Sequence, residues 1–215
     1  DELVFDGASF ILNADGSEPV RLPAWEETVA LSTWRRNAGG WACEPGEVAA
    51  RDDDAAAAYQ ACMLGLRDYV EKNGFPGVII GLSGGIDSAL VAAISVDALG
   101  PERVRGVLMP YRYTSEGSVR DAAALAKAQG LQFDTVPIEA AVAGVTDSLA
   151  PIMEGTSPDS TEENIQARVR GIILMAISNK FGGMVVTTGN QSEMSVGYAT
   201  LYGDHNRGYK PHQDP

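Results

Sequence analysis

The sequence predicts an α/β fold in which helices cover both faces of a doubly wound parallel sheet. From residue 55 onward, segments typical of helices and of strands alternate along the chain, as a parallel sheet with helical crossovers requires. Val78-Ile79-Ile80 is an uninterrupted apolar run, which indicates a strand buried on both faces. A composition with 45% hydrophobic residues is sufficient for a packed core.

Helices are predicted where apolar residues recur every three or four positions, and strands where short apolar runs lie between turn signals. The first helix ends at Asn73-Gly74, and a capping-box pattern, Ser160-Thr161-Glu162-Glu163, begins the last one. The predicted helices span 55–72, 89–98, 118–129, 139–149 and 161–181. The predicted strands span 78–80, 104–109, 133–136 and 184–187.

The part of the chain before residue 55 has a different character. Residues 3–12 predict two short strands around a turn at Asp6-Gly7, a β-hairpin appendage. The segment 35–54, with its Gly pair and Pro-Gly, predicts a linker. The first residues show neither a Met nor a signal pattern, so we expect them to continue from a longer protein. The predicted divisions are therefore 1–34, 35–54 and 55–215.

The overall charge and the cysteines narrow the functional classes. A formal net charge of −13 opposes binding to nucleic acids and to anionic membranes, so we expect small-molecule partners. No apolar stretch approaches the roughly 20 residues of a membrane span. Cys43 and Cys62 form no paired motif, so we expect reduced thiols and a cytoplasmic location. An anionic substrate would have to meet local cations, backbone N–H groups or a metal ion.

The loop after the first sheet strand carries the strongest signal, Gly81-Leu82-Ser83-Gly84-Gly85-Ile86-Asp87-Ser88. Ligands of doubly wound sheets bind at the carboxyl ends of the strands, where this octet lies. Gly84 and Gly85 let the backbone approach a ligand, and the following helix presents free N–H groups with a partial positive charge. Ser83 and Ser88 add hydroxyl donors. These features predict a cradle for a pyrophosphate group.

Asp87 within such a cradle would repel phosphate unless a cation lies between them. A carboxylate together with phosphate oxygens is a usual Mg²⁺ site, so we assign Asp87 to magnesium. The alternative is a Gly-Gly turn whose Ser and Asp side chains cap a helix. The octet is neither a Walker A loop nor a dinucleotide fingerprint, since it contains neither Gly-Lys-Ser/Thr nor GxGxxG.

Residues 161–170 form a second stretch of interest, at the start of the last predicted helix. Asn164, Arg168 and Gln166 can share one helix face because residues four apart are neighbours there. In a strongly acidic protein, Arg168 could clamp an anionic substrate. The alternative is an ordinary solvated helix start.

A third stretch follows the last predicted strand and reads Thr187-Thr188-Gly189-Asn190-Gln191-Ser192-Glu193. It also lies at the expected ligand edge of the sheet. Thr188 can hydrogen-bond a nucleotide, and Glu193 can complete a metal site with Asp87. The alternative is a simple turn, since a Thr-Gly-Asn loop is weak evidence by itself.

The octet resembles the pyrophosphate loop of the ATP pyrophosphatase superfamily, whose members adenylate a substrate by cleaving ATP between the α and β phosphates. The octet alone does not choose among the NAD, GMP, asparagine and argininosuccinate synthetases of that superfamily. Together with the two later stretches, and over about residues 59–204, the sequence resembles the NAD synthetases. The resemblance implies an adenine nucleotide α-hydrolase-like fold and ATP-dependent amidation of deamido-NAD to NAD through an adenylated carboxylate.

The resemblance also implies roles for individual residues. Asp87 and Glu193 would hold Mg²⁺ and take part in catalysis. ATP would be bound by the octet, by Met109 near the adenine, and by Thr188. Deamido-NAD would be bound by Asn164, Arg168, Glu193 and Asp204. The family is oligomeric, so a homo-oligomer is expected.

The sequence departs from the family pattern at two lysine positions. The lysine of the family's Thr-Gly-Asn-Lys-Ser-Glu stretch is Gln191 here, and a lysine that the family uses at the ATP site falls on Gln213. Residues 1–10 resemble the tail of the nitrilase-like glutaminase domain that precedes the synthetase in glutamine-dependent members. The Glu-Lys-Cys site of that domain has no counterpart in this sequence, so Cys43 and Cys62 are not expected to act as its nucleophile.

Two other functions stay open at this point. The first is another adenylating ligase of the same superfamily, such as a GMP synthetase-like enzyme, which would prefer XMP to deamido-NAD. The second is a non-catalytic nucleotide-binding or assembly module, which Gln191 and Gln213 favour. Such a module would bind ATP without forming AMP.

Overall fold

The computed structural model describes residues 3–189, 192 and 195, and the chain divides into two compact units, Asp1–Gly65 and Leu66–Pro215. The strands are β1 Phe10–Ile11, β2 Val20–Arg21, β3 Trp34–Asn37, β4 Gly40–Cys43, β5 Val78–Leu82, β6 Val104–Leu108, β7 Gln132–Thr135 and β8 Met184–Val186. The α-helices are α1 Asp54–Lys72, α2 Ile86–Leu99, α3 Glu116–Gln129, α4 Glu139–Met153 and α5 Ser160–Phe181. A search of the described helices finds none with the length and apolar character to cross a membrane.

The second unit contains the predicted doubly wound sheet. Its four strands run parallel in the order β7-β6-β5-β8. On one face, Ile79 and Val107 pack against Val142 of α4 and against Ile165 and Val169 of α5. Helix α2 contacts α3 as well as β5 and β6, and α3 contacts β6 and β7. The predicted fold class is therefore confirmed, with the strands enclosed between helical layers.

The strand order places a topological switch point beside β5. After β5 the chain continues to β6 and β7 on one side, whereas β8 returns to the other side. Ile80 pairs with Gly106 of β6 and with Val186 of β8, so all three strands end at the same edge. Ligands of open α/β sheets bind in the crevice at such a point.

Two element boundaries differ from the prediction in a way that reshapes the central loop. β5 continues through Gly81 and Leu82, and α2 begins at Ile86 rather than at residue 89. Leu82 is buried, and it pairs with Leu108 across the sheet, which explains the longer strand. The connection that remains is only Ser83-Gly84-Gly85.

The cap of α5 also lies one residue earlier than predicted. Asp159 is the N-cap, its Oδ1 accepts from the Thr161 backbone N–H at 2.7 Å, and Glu162 Oε2 accepts from the Asp159 N–H at 2.9 Å. The predicted box used Ser160 and Glu163. An aspartate is as good an N-cap as a serine, so the two registers compete in the sequence and the side-chain contacts decide.

The first unit contains two small antiparallel sheets and the beginning of α1. β1 pairs with β2, so the predicted pairing of two strands within 3–12 is wrong, although the predicted appendage is confirmed. β3 and β4 form a hairpin inside the segment predicted as linker. Its turn is stabilised because Asn37 Oδ1 accepts from the Gly39 N–H at 2.9 Å and Gly40 adopts a φ of +117°. The division into 1–34, 35–54 and 55–215 stays a prediction.

Candidate functional site

The three-residue connection after β5 is held by hydrogen bonds among its own serines. Ser88 Oγ donates to the Gly85 carbonyl at 3.0 Å and lies 3.2 Å from Ser83 Oγ. Ser83 Oγ in turn accepts from the Gly85 N–H at 3.1 Å. Ser88 is 2% exposed, and its hydroxyl fixes the loop. Its contact with ATP stays a prediction. The Ser83 side chain is exposed.

Gly84 is required by both its backbone conformation and its neighbour. Its φ is +81°, a region that disfavours any residue with a Cβ. A Cβ at this position would lie 2.3 Å from the Ser118 carbonyl oxygen and 2.7 Å from its Cα. The loop therefore rests directly on the backbone of α3. The contact depends on the absence of a side chain at residue 84 and has no signature in the sequence at Ser118.

Helix α2 begins at this loop without a side-chain cap. Its N-cap is Gly85, and among the described residues no side chain accepts a hydrogen bond from the first turn. The first N–H groups of a helix carry a partial positive charge and bind anions well. Ile86 is 80% exposed and Asp87 is exposed as well, so the turn faces solvent.

The chemistry at Asp87 fits a magnesium ion. Within the described residues, no group of three or more His, Cys, Asp or Glu could hold a metal. A Mg²⁺ site of the usual kind needs only one or two carboxylates, with the remaining positions filled by phosphate oxygens and water. An exposed carboxylate in the first turn of α2 has the chemistry of such a ligand, and its assignment to Mg²⁺ stays a prediction. Glu193, the second predicted ligand, lies outside the described residues.

The carboxyl end of β6 meets the start of the octet. A Cβ at Gly81 would lie 3.4 Å from Met109 Cε and 3.4 Å from Leu174 Cδ1 of α5, so Gly81 and Met109 are neighbours. Met109 is 7% exposed and belongs to the core beneath the crevice. Arg170 Nε donates to the Met109 carbonyl at 3.3 Å, which joins α5 to this edge. Leu82 is buried, so it could meet a ligand only through its backbone.

The end of β8 lies on the other side of β5. Thr187 follows the last strand residue and is 6% exposed, and Thr188 and Gly189 are half-buried. The Thr187 Oγ1 atom is buried and makes no hydrogen bond with the described residues. Thr188, the residue predicted to contact ATP, thus lies at the same sheet edge as the octet.

The remaining predicted binding residues are placed differently. Asn164 is half-buried and Arg168 is exposed, both in the first turns of α5, next to Ile165 and Val169 that pack under Met109. Their position on one helix follows the predicted spacing, and their contact with substrate stays a prediction. Glu193 and Asp204 lie outside the described residues.

Sequence reasoning did not identify an aromatic and basic cluster after β6. The Tyr111 and Tyr113 rings meet edge to face at 5.8 Å, and the Arg112 guanidinium lies 4.9 Å from the Tyr111 ring centre. Arg112 Nη2 also donates to Glu139 Oε1 at 2.7 Å, and this contact raises the pKa of Arg112. The signal was present as Tyr-Arg-Tyr directly after a strand end. The cluster adds a cation at the ligand edge of an acidic protein.

Both cysteines belong to the first unit. Cys43 is buried and Cys62 half-buried, and the two are not joined in a disulfide. Burial raises the pKa of the Cys62 thiol, which lowers its thiolate fraction and its nucleophilicity.

Comparison with known proteins matches these features to one family. The model of the NAD synthase family matches residues 58–214. A glutamine-dependent NAD(+) synthetase from Rhodobacter capsulatus is 55% identical over 214 residues, which covers 100% of this chain and 39% of that protein. The chain thus spans well under half the length of the curated relatives it matches.

Solved structures give the same result. The glutamine-dependent NAD+ synthetase from Acinetobacter baumannii, in complex with adenosine diphosphate, superposes with a TM-score of 0.94 at 46% identity and covers 100% of this chain and 40% of that one. An NH3-dependent NAD synthetase from Campylobacter jejuni has a TM-score of 0.69 at 28% identity, over 76% of this chain and 69% of that one.

Proposed function

Since the chain belongs to the NAD synthase family, we propose that it carries out the ATP-dependent amidation of deamido-NAD to NAD. AMP and pyrophosphate would be released. The nitrogen would come from ammonia, either free or produced from glutamine elsewhere. We further propose that the chain works as a cytoplasmic homo-oligomer, as its family resemblance implies.

The observation that best supports this proposal is the meeting of two polar loops at the switch point. The octet follows β5 and Thr188 follows β8, and these strands are hydrogen-bonded neighbours. The uncapped first turn of α2 adds N–H donors at the same place. An anion-binding loop and a hydroxyl-bearing loop on either side of one crevice suit a nucleotide triphosphate.

In the proposed reaction, a carboxylate oxygen of the nicotinate ring of deamido-NAD attacks the α-phosphorus of ATP. The bond to the bridging oxygen of the β-phosphate breaks, and pyrophosphate leaves. Ammonia then attacks the acyl carbon, AMP leaves, and one proton passes to solvent. The chain needs no side-chain nucleophile for either step, because its task is to position the reactants and stabilise charge.

The described residues divide this task among them. The first-turn N–H groups of α2 would hold the departing pyrophosphate, and the Gly84 backbone would allow it to approach closely. Thr188 would orient the nucleotide, and Asn164 and Arg168 would bind deamido-NAD. Asp87 would hold Mg²⁺ together with Glu193, which lies outside the described residues, and the ion neutralises phosphate charge when it is bound.

A non-catalytic nucleotide-binding role is the second candidate, because the chain carries Gln191 and Gln213 at lysine positions of the family. The same crevice would then bind ATP without turning it over. Another adenylating ligase of the superfamily would instead turn over ATP with a different acceptor.

The deciding experiment measures AMP release from ATP, Mg²⁺ and ammonium, with deamido-NAD or XMP as the acceptor, alongside calorimetric titration of ATP on the same sample. AMP formation that depends on deamido-NAD supports the synthetase proposal. ATP binding without AMP supports the non-catalytic role, and AMP that depends on XMP supports the GMP synthetase-like alternative. Absence of ATP binding contradicts all three. Replacing ammonium with glutamine tests the nitrogen source.

The substrate-clamp role of Arg168 is tested separately. Arg168→Ala should raise the Kd for deamido-NAD about tenfold, because it removes a charge-assisted contact, and leave the Kd for ATP unchanged. Arg120→Ala, which removes an exposed arginine from α3, is the matched control and should change neither value. An equal loss of affinity for both ligands would show that Arg168 supports the fold rather than the substrate.

A further inference from the structure

Thr187 carries a buried hydroxyl without a partner at the switch point. The residue is 6% exposed, and its Oγ1 forms no hydrogen bond with any described residue. A threonine hydroxyl can donate one hydrogen bond and accept two, and burying it unpaired is unfavourable. Because unpaired buried polar groups are rare in folded proteins, this hydroxyl requires an explanation.

The other buried hydroxyls of the described residues are paired. Ser95 is fully buried, and its Oγ donates to the Val91 carbonyl at 2.7 Å. Ser88, also buried, donates to the Gly85 carbonyl at 3.0 Å. Thr187 therefore differs from residues of the same polarity and burial in the same unit.

The position of Thr187 connects it to the octet. Val186 pairs with Ile80, so one residue farther along the two neighbouring strands Thr187 is level with Gly81, the first residue of the octet. The side chains that approach Gly81 most closely are apolar, those of Leu174 and Met109. Thr187 therefore follows β8 at the level where β5 enters the octet, and its buried hydroxyl has no hydrogen-bond partner among the described residues there.

We propose that Thr187 is a positioning residue whose hydroxyl gains its hydrogen bond when a nucleotide occupies the crevice. The inference rests on the function proposed above, because it takes the ligand to be ATP or its product nucleotides. The unpaired hydroxyl destabilises the nucleotide-free protein, and the partner gained on binding removes that penalty. Through this hydrogen bond, binding of a nucleotide at the loop after β5 would also stabilise the end of β8.

The test compares Thr187→Val and Thr187→Ser by thermal unfolding and by calorimetric titration with Mg²⁺ and ADP. Valine keeps the shape and removes the hydroxyl. It should raise the thermal midpoint of the nucleotide-free chain by about 2–4 °C and raise the Kd for ADP about tenfold. Serine keeps the hydroxyl and should restore wild-type affinity.

Thr146→Val is the matched control, since Thr146 Oγ1 already donates to the Val142 carbonyl at 2.9 Å. It should leave the affinity for ADP unchanged. Wild-type affinity in Thr187→Val overturns the coupling alone, and so does a lower thermal midpoint, which would mark a merely structural hydroxyl. If the wild-type chain does not bind ADP, the proposed function fails and the coupling fails with it.

Discussion

Helices α2 and α5 begin in opposite ways. α5 starts with a complete capping box. The Asp159 side chain accepts a hydrogen bond from the backbone of the first turn, and the Glu162 side chain accepts one from the Asp159 backbone N–H. α2 starts at Gly85, and no side chain among the described residues caps it. Both helices belong to the second unit, and they differ in the residues at their N-termini.

The difference shows what each helix start is used for. A side-chain cap satisfies free N–H groups and stabilises a helix, commonly by about 1 kcal/mol. α2 lacks that stabilisation, and it begins at the topological switch point beside β5, where ligands of such sheets bind. Its N–H groups stay available for an anion, whereas those of α5 are already bonded by the protein.

The largest expected effect comes from distorting the uncapped end. Gly84→Ala introduces a Cβ at a φ of +81° and 2.3 Å from the Ser118 carbonyl oxygen. We expect a loss of about 2–4 kcal/mol of unfolding free energy and loss of measurable ADP binding. Urea unfolding and calorimetry measure the two effects.

Gly144→Ala in α4 is the matched control. No atom lies within 4 Å of its ideal Cβ, so alanine should stabilise this helix interior by about 0.5–1 kcal/mol. Wild-type behaviour of Gly84→Ala in both measurements would show that the loop does not rest on α3 as described.

The next effect concerns the charge in the first turn of α2. Asp87→Asn keeps the shape of the side chain and should abolish the dependence of ATP affinity on Mg²⁺, which corresponds to about a tenfold rise in Kd at saturating Mg²⁺. Titrations of ATP with and without Mg²⁺ measure it. Asp97→Asn makes the same change near the other end of α2 and should have no such effect. Preserved Mg²⁺ dependence in Asp87→Asn would contradict the metal assignment.

A smaller effect is expected from giving α2 the cap it lacks. Gly85 has φ −88° and ψ 163°, which any residue can adopt. Gly85→Ser should change stability by only a few tenths of a kcal/mol and raise the Kd for ATP about threefold, because its hydroxyl competes for the helix N–H groups.

Gly85→Ala provides the comparison, since it adds the same Cβ near Ser83 Oγ without a capping oxygen. Affinity lost equally in both variants would indicate crowding of the loop instead of competition for its donors.

The smallest effect on binding is expected at α5. Asp159→Ala should lower the thermal midpoint and leave ATP affinity unchanged, because the cap serves only the helix. Hydrogen bonds from Thr161 hold the pKa of Asp159 below its ordinary 3.8. The cap therefore stabilises fully above that value and is lost as the pH falls through the lower folded pKa.

Thermal midpoints measured from neutral to acid pH check this sign. The difference between wild type and Asp159→Ala should shrink as the pH falls below 3.8. A constant difference would mean that the carboxylate charge is not what stabilises the cap.

The parts of the fold that the sequence predicted are those with local causes. Alternating apolar periods predict the helices and strands of the second unit, and the Gly-Gly stretch between a buried strand and a helix predicts the short loop at the carboxyl edge of the sheet. Phosphate binding by that loop stays a prediction. The pairing of β1 with β2 was missed, because it depends on a strand on the far side of a turn at Asn13–Gly16. The N-cap of α5 was predicted at Ser160 and lies at Asp159. Both residue types cap helices well, so the sequence alone does not decide between them.

The site was predictable as a set of loops but not as a set of contacts. The sequence places the octet and Thr188 at strand ends, and the parallel sheet brings those ends together. The support of Gly84 by the Ser118 backbone and the unpaired Thr187 hydroxyl arise from packing between segments distant in the chain. No single stretch of sequence contains that information.

The strand order also has a consequence for how the chain is made. β5 forms parallel pairs with β6 and β8, and β8 is synthesised after α3, α4 and α5. Until β8 emerges from the ribosome, the edge of β5 at Val78, Ile79 and Ile80 has no strand partner. Unpaired apolar strand edges promote aggregation with other incompletely folded chains. Late closure by β8 is a long-range step and therefore slow. The strand that precedes the octet thus keeps one edge unpaired until β8 has been made.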